Sequence, residues 1–196
     1  MSPGRPREFN FDDALTRALH VFWAKGYEGT SLPDLTAAMG INRPSLYATF
    51  GNKEELFRKA LDKYAAESKK RLDETLAAPT AYEAVEKFIY GVADGTACPK
   101  SPKGCLMVQG ALSCGEEAKP IQEELARRRQ LTETALRRRI EKGIAEGDVP
   151  PSVSAADLAR FYATVVQGMA VQSTASVTAD DMRGIADWAL KAFPRK

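Results

Sequence analysis

The run Asn42-Arg43-Pro44-Ser45-Leu46-Tyr47-Ala48-Thr49 sets polar and cationic groups where a buried helix would carry aliphatics. Each suits a particular surface of double-stranded DNA. An arginine such as Arg43 can fork onto guanine O6 and N7, Ser45 can donate or accept at a base edge, and the Pro44 ring can meet a thymine methyl. Tyr47 and Thr49 can reach phosphates. So can Lys53, at the start of a following helix whose first N–H groups also favour anions. Asn42, which caps the segment, belongs with this set, and a phosphate contact from Thr30 and Ser31 completes the clamp. Upstream, Gly4-Arg5-Pro6-Arg7 places Arg5 and Arg7 on a flat, extended cation of the kind that fits a narrow A·T-rich minor groove.

Such a segment is too short to be a stable helix alone, so its neighbours must hold it. Apolar spacing is helical almost everywhere and no stretch alternates long enough for a strand, which predicts an all-α protein of about nine helices. The first helix spans about Asp12 to Lys25, with Leu15, Ala18, Leu19 and Phe22 on one face and Gly26 stopping it. Ser31 with Asp34 resembles a capping box that opens a second helix ending at Gly40, and Asn42 caps the third. Pro44 is tolerated there because first-turn N–H groups have no intrahelical partner. Two helices joined by a tight glycine turn form a helix-turn-helix unit, with Leu35, Ile41 and Leu46 spaced to pack against Phe22. Asn52 with Glu55 caps a long fourth helix that reaches about Ala78.

Five more helices follow, starting near Thr80, Cys105, Pro120, Ser154 and Thr178, the sixth covering roughly Cys105 to Ser113. The spacing divides the chain into a helix-turn-helix domain with a basic arm at 1–53 and a larger helical domain at 54–196.

The stretch GYEGTSLPDLTAAMGINRPSLYATFGNKEELF resembles the N-terminal DNA-binding domain of the tetracycline-repressor (TetR) family of bacterial regulators. The likeness runs from about Ala14 to Phe57 and includes the G-[FY]-x-x-T-[ST], A-x-x-x-G-[VI], L-Y-x-x-F and K-E-x-L elements. Thr36 departs from the alanine that many members carry, and Ala48 stands where histidine or a larger polar group is frequent. The resemblance implies a ligand-responsive regulator, a repressor, that binds a pseudo-palindromic operator as a homodimer and is released by a small-molecule effector. It also implies dimerisation through a four-helix bundle of the last helices.

The residues themselves agree with a dimer. No charged residue occurs from Phe161 to Ala179, so the eighth helix lacks the charged face of a one-sided surface helix. Leu158, Tyr162, Val165, Val166 and Met169 are expected to share an interface with Ile185, Trp188 and Ala189. Two-fold dimers match two-fold DNA sites. Phe88, Val92, Met107, Gln109 and Phe161 are the expected lining of the effector pocket.

Cys98, Cys105 and Cys114 raise a second reading, a regulator that senses oxidants or electrophiles through Cys98 or Cys105. Lys100 and Lys103 near Cys98 favour a thiolate. Cys105 and Cys114 lie nine residues apart, which at about 100° per residue puts them on opposite faces of a helix. They do not share a metal. The arginine clusters Arg127–Arg129 and Arg137–Arg139 are interleaved with Glu123, Glu124, Glu133 and Glu141, a pattern that predicts a solvated, ion-paired face.

Composition narrows the remaining classes. Net charge is only +2, from 28 basic and 26 acidic side chains, so a nucleic-acid surface has to be local. No apolar run approaches the roughly 18 residues of a membrane span, no signal-peptide core is present, and an odd cysteine count argues against a disulfide framework. A cytoplasmic protein without cofactor or metal is expected. With one histidine and no nucleophile–base or metal-ligand spacing, an enzyme is not. The remaining rival is a helical adaptor that uses the third helix to bind protein.

Overall fold

Each helix of the N-terminal third opens on a side chain that satisfies backbone N–H groups left without an intrahelical partner. In α1 (Phe11–Lys25) the Asn10 side chain accepts from the N–H groups of Asp12 and Asp13. In α2 (Leu32–Met39) Ser31 and Asp34 form a reciprocal capping box, and in α3 (Arg43–Phe50) Asn42 accepts from Ser45 N–H. A second capping box, Asn52 with Glu55, starts α4 (Lys53–Leu76). Each such cap is worth about 1 kcal/mol, which matters most to α2 and α3 at 8 residues apiece.

The computed structural model describes residues 10–95, 102–175 and 177–195, so Arg5, Arg7 and Cys98 lie outside the described residues. The chain continues through α5 (Ala81–Gly95), α6 (Leu106–Gln109), a 3₁₀ turn at Glu116–Ala118, α7 (Lys119–Glu146), α8 (Ala155–Gln172) and α9 (Ala179–Lys191). Among the described residues there are nine α-helices and no strand.

Two cores hold these elements. The first gathers α1, α2, α3, the N-terminal half of α4 as far as Tyr64, Leu106 of α6, Ala111, and Ile121 and Leu125 of α7. Packing of the N-terminal unit therefore runs past position 53. The second core joins α5, α8, α9 and the later part of α7, with Tyr162 and Ile89 fully enclosed. Where α4 meets α5, Arg139 Nη2 donates to the carbonyls of Ala78 and Pro79 at 3.1 and 3.0 Å. Asp148 accepts the Ala81 N–H at 2.6 Å.

Two expectations about these elements are corrected. α6 is four residues long rather than extending to Ser113, because the chain after it spends its carbonyls elsewhere: Gly110 O accepts from Tyr27 N–H, and Leu112 O from the Gln122 amide. The charged face of α7 is not wholly solvated either. Glu124 and Arg139 are buried, since α7 crosses both α4 and the α4–α5 corner and each finds partners there.

Candidate nucleic-acid interface and effector cavity

α3 is held from behind and open in front. Leu46 and Phe50 are fully buried, Phe50 stacks on Phe11 at 4.8 Å between ring centroids, and Leu35 of α2 and Phe22 of α1 complete the apolar floor. Gly40, at φ 70 and ψ 29, turns α2 into α3 in the left-handed conformation that glycine adopts without strain. The opposite face carries Arg43, Pro44, Tyr47 and Thr49, all exposed, with Ser45 half-buried beside them. Asn42 Oδ1 is committed to the cap at 2.9 Å, and its amide stays at the exposed start of the helix.

The flanks of this face differ from expectation in one respect. Thr30 is buried and its hydroxyl donates to Gly26 O at 2.6 Å. Ser31 Oγ donates to Asp34 at 2.7 Å while accepting the Asp34 N–H. Both hydroxyls thus brace the turn before α2 and are engaged within the chain. Lys25 adds an ion pair to Asp34 at 2.6 Å. That hydrogen bond, with those from Ser31, holds the Asp34 carboxyl well below the usual carboxylate range. Lys53 sits with its ammonium 4.6 Å from the centre of the Tyr27 ring; partial burial lowers its pKa from the ordinary lysine value.

Behind this unit lies a cavity of about 670 Å³, walled by Trp23, Tyr64, Arg71, Phe88, Val92 and Cys105 among others. That volume suits a drug-sized organic molecule. Its apolar walls are interrupted by Arg71, Lys87 and Lys103 and by Glu67 and Glu74. Of the expected lining residues, Phe88 and Val92 border this cavity. The other three do not. Met107 packs against the N-terminal core, and the Gln109 amide donates to Lys103 O at 3.0 Å. Phe161 is 40% exposed on the outside of α8, one position from the buried Tyr162 and so rotated about 100° away from the interior.

The residues that sequence reasoning missed are Trp23 and Tyr64. Only the tertiary arrangement turns both to the cavity. The Tyr64 hydroxyl donates to Cys105 Sγ at 3.3 Å; burial, then the adjacent thiol, raises its pKa far above the ordinary tyrosine value.

Comparison with known proteins places this arrangement. The profile of the bacterial regulatory proteins of the tetR family matches residues 14–60, and that of tetracyclin repressor-like C-terminal domains matches residues 81–187. The chain belongs to the TetR family. It is 31% identical over 195 residues to the HTH-type transcriptional repressor ComR of Escherichia coli K12, covering 98% of this chain and 93% of that protein. It shares 45% identity over 62 residues with the repressor BdcR of the same organism, about a third of either chain (32%). Among solved structures, a cysteine-substituted TetR-family regulator CifR complexed with 26-bp double-strand operator DNA superposes with a TM-score of 0.93 at 40% identity. That match covers 97% of this chain and all (100%) of the other. This TetR-family chain is accordingly a helix-turn-helix transcriptional regulator.

For a TetR-family protein the outer face of α8 and α9 is the remaining surface of interest. Of the expected interface residues, Tyr162, Val166, Met169 and Ala189 are buried in the chain's own second core. Tyr162 also donates from its hydroxyl to Ala189 O at 3.0 Å. The i, i+4, i+7 spacing of Tyr162, Val166 and Met169 marks the inward stripe of α8, which Ala189 meets from α9. Ile185 and Trp188 are exposed, the latter at 72%, and Leu158 and Val165 are half-buried. Phe161, Thr164, Gly168 and Val171 extend this outward, uncharged stripe along α8.

Among the described residues no group of His, Cys, Asp and Glu could hold a metal ion, and no helix is long and apolar enough to cross a membrane.

Proposed function

We propose that the chain is a repressor that binds a pseudo-palindromic operator as a homodimer, with α3 of each subunit in the major groove, and that leaves it when a small molecule occupies the cavity. The observation that carries this reading is the division of α3 into a fully buried back, Leu46 and Phe50, and an exposed front of Arg43, Pro44, Tyr47 and Thr49. A short helix held this way can devote one face to a partner at no cost to its own fold. In this reading Arg43, Pro44 and Ser45 meet base edges, while Tyr47, Thr49 and Lys53 hold phosphates and Arg5 and Arg7 enter the minor groove. Operator binding by the similar regulator CifR supports the assignment.

The dimer forms through the outward stripe of α8 and α9, centred on Phe161, Ile185 and Trp188. These large apolar groups lie on a face that carries no charged side chain on α8 from Phe161 onward, the composition expected of an interface core. The units at 1–53 and 54–196 divide the work of reading DNA from that of sensing and dimerising. A small molecule shifts the equilibrium only as far as its affinity differs between the two arrangements. Mobility shift on the DNA upstream of the chain's own gene tests the reading: a saturable shift that specific duplex competes and random duplex does not is expected. Absence of any specific shift by folded protein refutes it.

A further inference from the structure

The cavity is not walled by the larger unit alone. Trp23, from α1, lines it together with Gly104 and Cys105. The indole N–H donates to Gly104 O at 3.2 Å, and the ring meets Tyr64 edge-on at 4.8 Å.

The segment that begins at Gly104 then grips the turn after α1 at two points. Tyr27 N–H donates to Gly110 O at 2.7 Å, and Gly115 N–H donates to the Glu28 carboxylate at 3.1 and 3.2 Å. Gly26 permits the close approach, being at φ 71 with Gly110 O only 3.2 Å from where a Cβ would stand. Arg129 Nη1 anchors the segment to α7 by donating to Met107 O at 2.6 Å.

The end of α1 is in turn wired to the DNA-facing surface. Lys25 pairs with Asp34 of α2, Gly26 O accepts the Thr30 hydroxyl, and the Tyr27 ring lies under the Lys53 ammonium.

We propose that residues 104–115 act as a strap that passes occupancy of the cavity directly to α1, through the Trp23–Gly104 hydrogen bond, beside whatever route runs along α4. The proposal rests on the ligand-responsive reading above and names the route by which that site acts. A molecule filling the space beside Trp23 displaces the indole or the Gly104–Cys105 backbone. Because Gly110 and Gly115 lie on the same strap, the displacement reaches Tyr27 and Glu28, and from Tyr27 it reaches Lys53. Trp23 is thus a positioning residue: it belongs to the unit that reads DNA yet faces the space that holds the ligand.

The test needs no identified effector. Gly91 of α5 lines the cavity, and a Cβ there meets nothing within 4 Å, so Gly91→Trp fills the cavity from its own wall. Trp23→Phe keeps an aromatic ring against Tyr64 and removes the N–H donor. Operator affinity is measured by fluorescence anisotropy for the wild type, both single variants and the double variant, on a duplex recovered by selection from a random pool. Independent sites give additive effects, and coupled ones do not.

Gly91→Trp is expected to change operator affinity at least about tenfold with Trp23 intact and less than about threefold in the Trp23→Phe background. Equal factors in the two backgrounds overturn the strap route and leave the ligand-responsive reading standing. No change in either background, with melting curves showing folded protein, overturns the cavity reading itself and the strap with it. Should Gly91→Trp fail to fold, Gly91→Leu enters the same cycle under the same criteria.

Discussion

Glu124 joins α7 to α4 and gives a sharp test of how those two helices are held together. It is 8% exposed. It accepts from Arg58 Nη1 of α4 and from Arg128 Nε and Nη2 of its own helix, the latter two at 3.2 and 2.6 Å. Replacing it with alanine strands both guanidiniums, and breaking a buried pair costs about 3–5 kcal/mol. Two features reduce that figure here. Arg58 is 38% exposed, and each arginine keeps a second carboxylate, Glu54 at 2.9 Å for Arg58 and Asp62 at 2.5 Å for Arg128. The expected loss is therefore about 2 kcal/mol. In a chain of this size that lowers Tm by about 4–8 °C, read by calorimetry at one fixed protein concentration. Added salt should close little of the gap, since a buried pair is weakly screened. A Glu124→Ala Tm within about 1 °C of wild type, or a difference that vanishes in high salt, would refute a buried α4–α7 link.

Three further outcomes are expected. Arg43→Ala should cost about 1–3 kcal/mol of specific binding and relax one base position, while Lys53→Ala weakens all sequences alike and lowers the salt slope by about one; a uniform loss for Arg43→Ala in a binding-site selection removes it as a base reader. Trp188→Glu should dissociate the dimer in sedimentation while the protomer stays folded, whereas Val166→Glu, aimed into the chain's own core, should lower Tm by many degrees; an intact Trp188→Glu dimer moves the interface elsewhere. Burial raises the pKa of the Tyr162 hydroxyl, so the fold favours its neutral form. Its contribution is complete below the unfolded value of about 10 and is lost as pH rises through the higher folded value. Tyr162→Phe should therefore flatten the alkaline fall in Tm above about pH 10, and parallel curves for the two proteins would contradict this.

What could be read from the chain before its structure depended on whether the signal was local. Ser31 with Asp34, Asn52 with Glu55 and Thr178 with Asp181 form capping boxes, because each box is made within four residues. The same holds for Gly40 and for the buried stripe Leu15, Ala18, Leu19 and Phe22 of α1. Features set by which helix lies opposite were not legible. Glu124 and Arg139 share the i, i+4 charge pattern of solvated helices, yet crossing α4 and its corner buries them. Phe161 and Tyr162 are neighbours of like character, and the uncharged run of α8 shows that two faces are apolar without telling which faces inward. The cavity was legible only at Phe88 and Val92 of α5, because most of its other walls come from α1, α4 and the segment after position 101, brought together by tertiary packing.

The central claim is that two α3 helices, held by an α8–α9 dimer, read two related half-sites. Selection of bound duplexes from a random pool, followed by native mass spectrometry of the complex on the recovered DNA, tests it most directly. The expected motif is an inverted repeat whose half-sites lie one helical turn (about 34–36 Å) or a multiple apart, occupied by an even number of protomers. An unsymmetrical motif bound by a single protomer, or no enriched motif at all, would contradict the account.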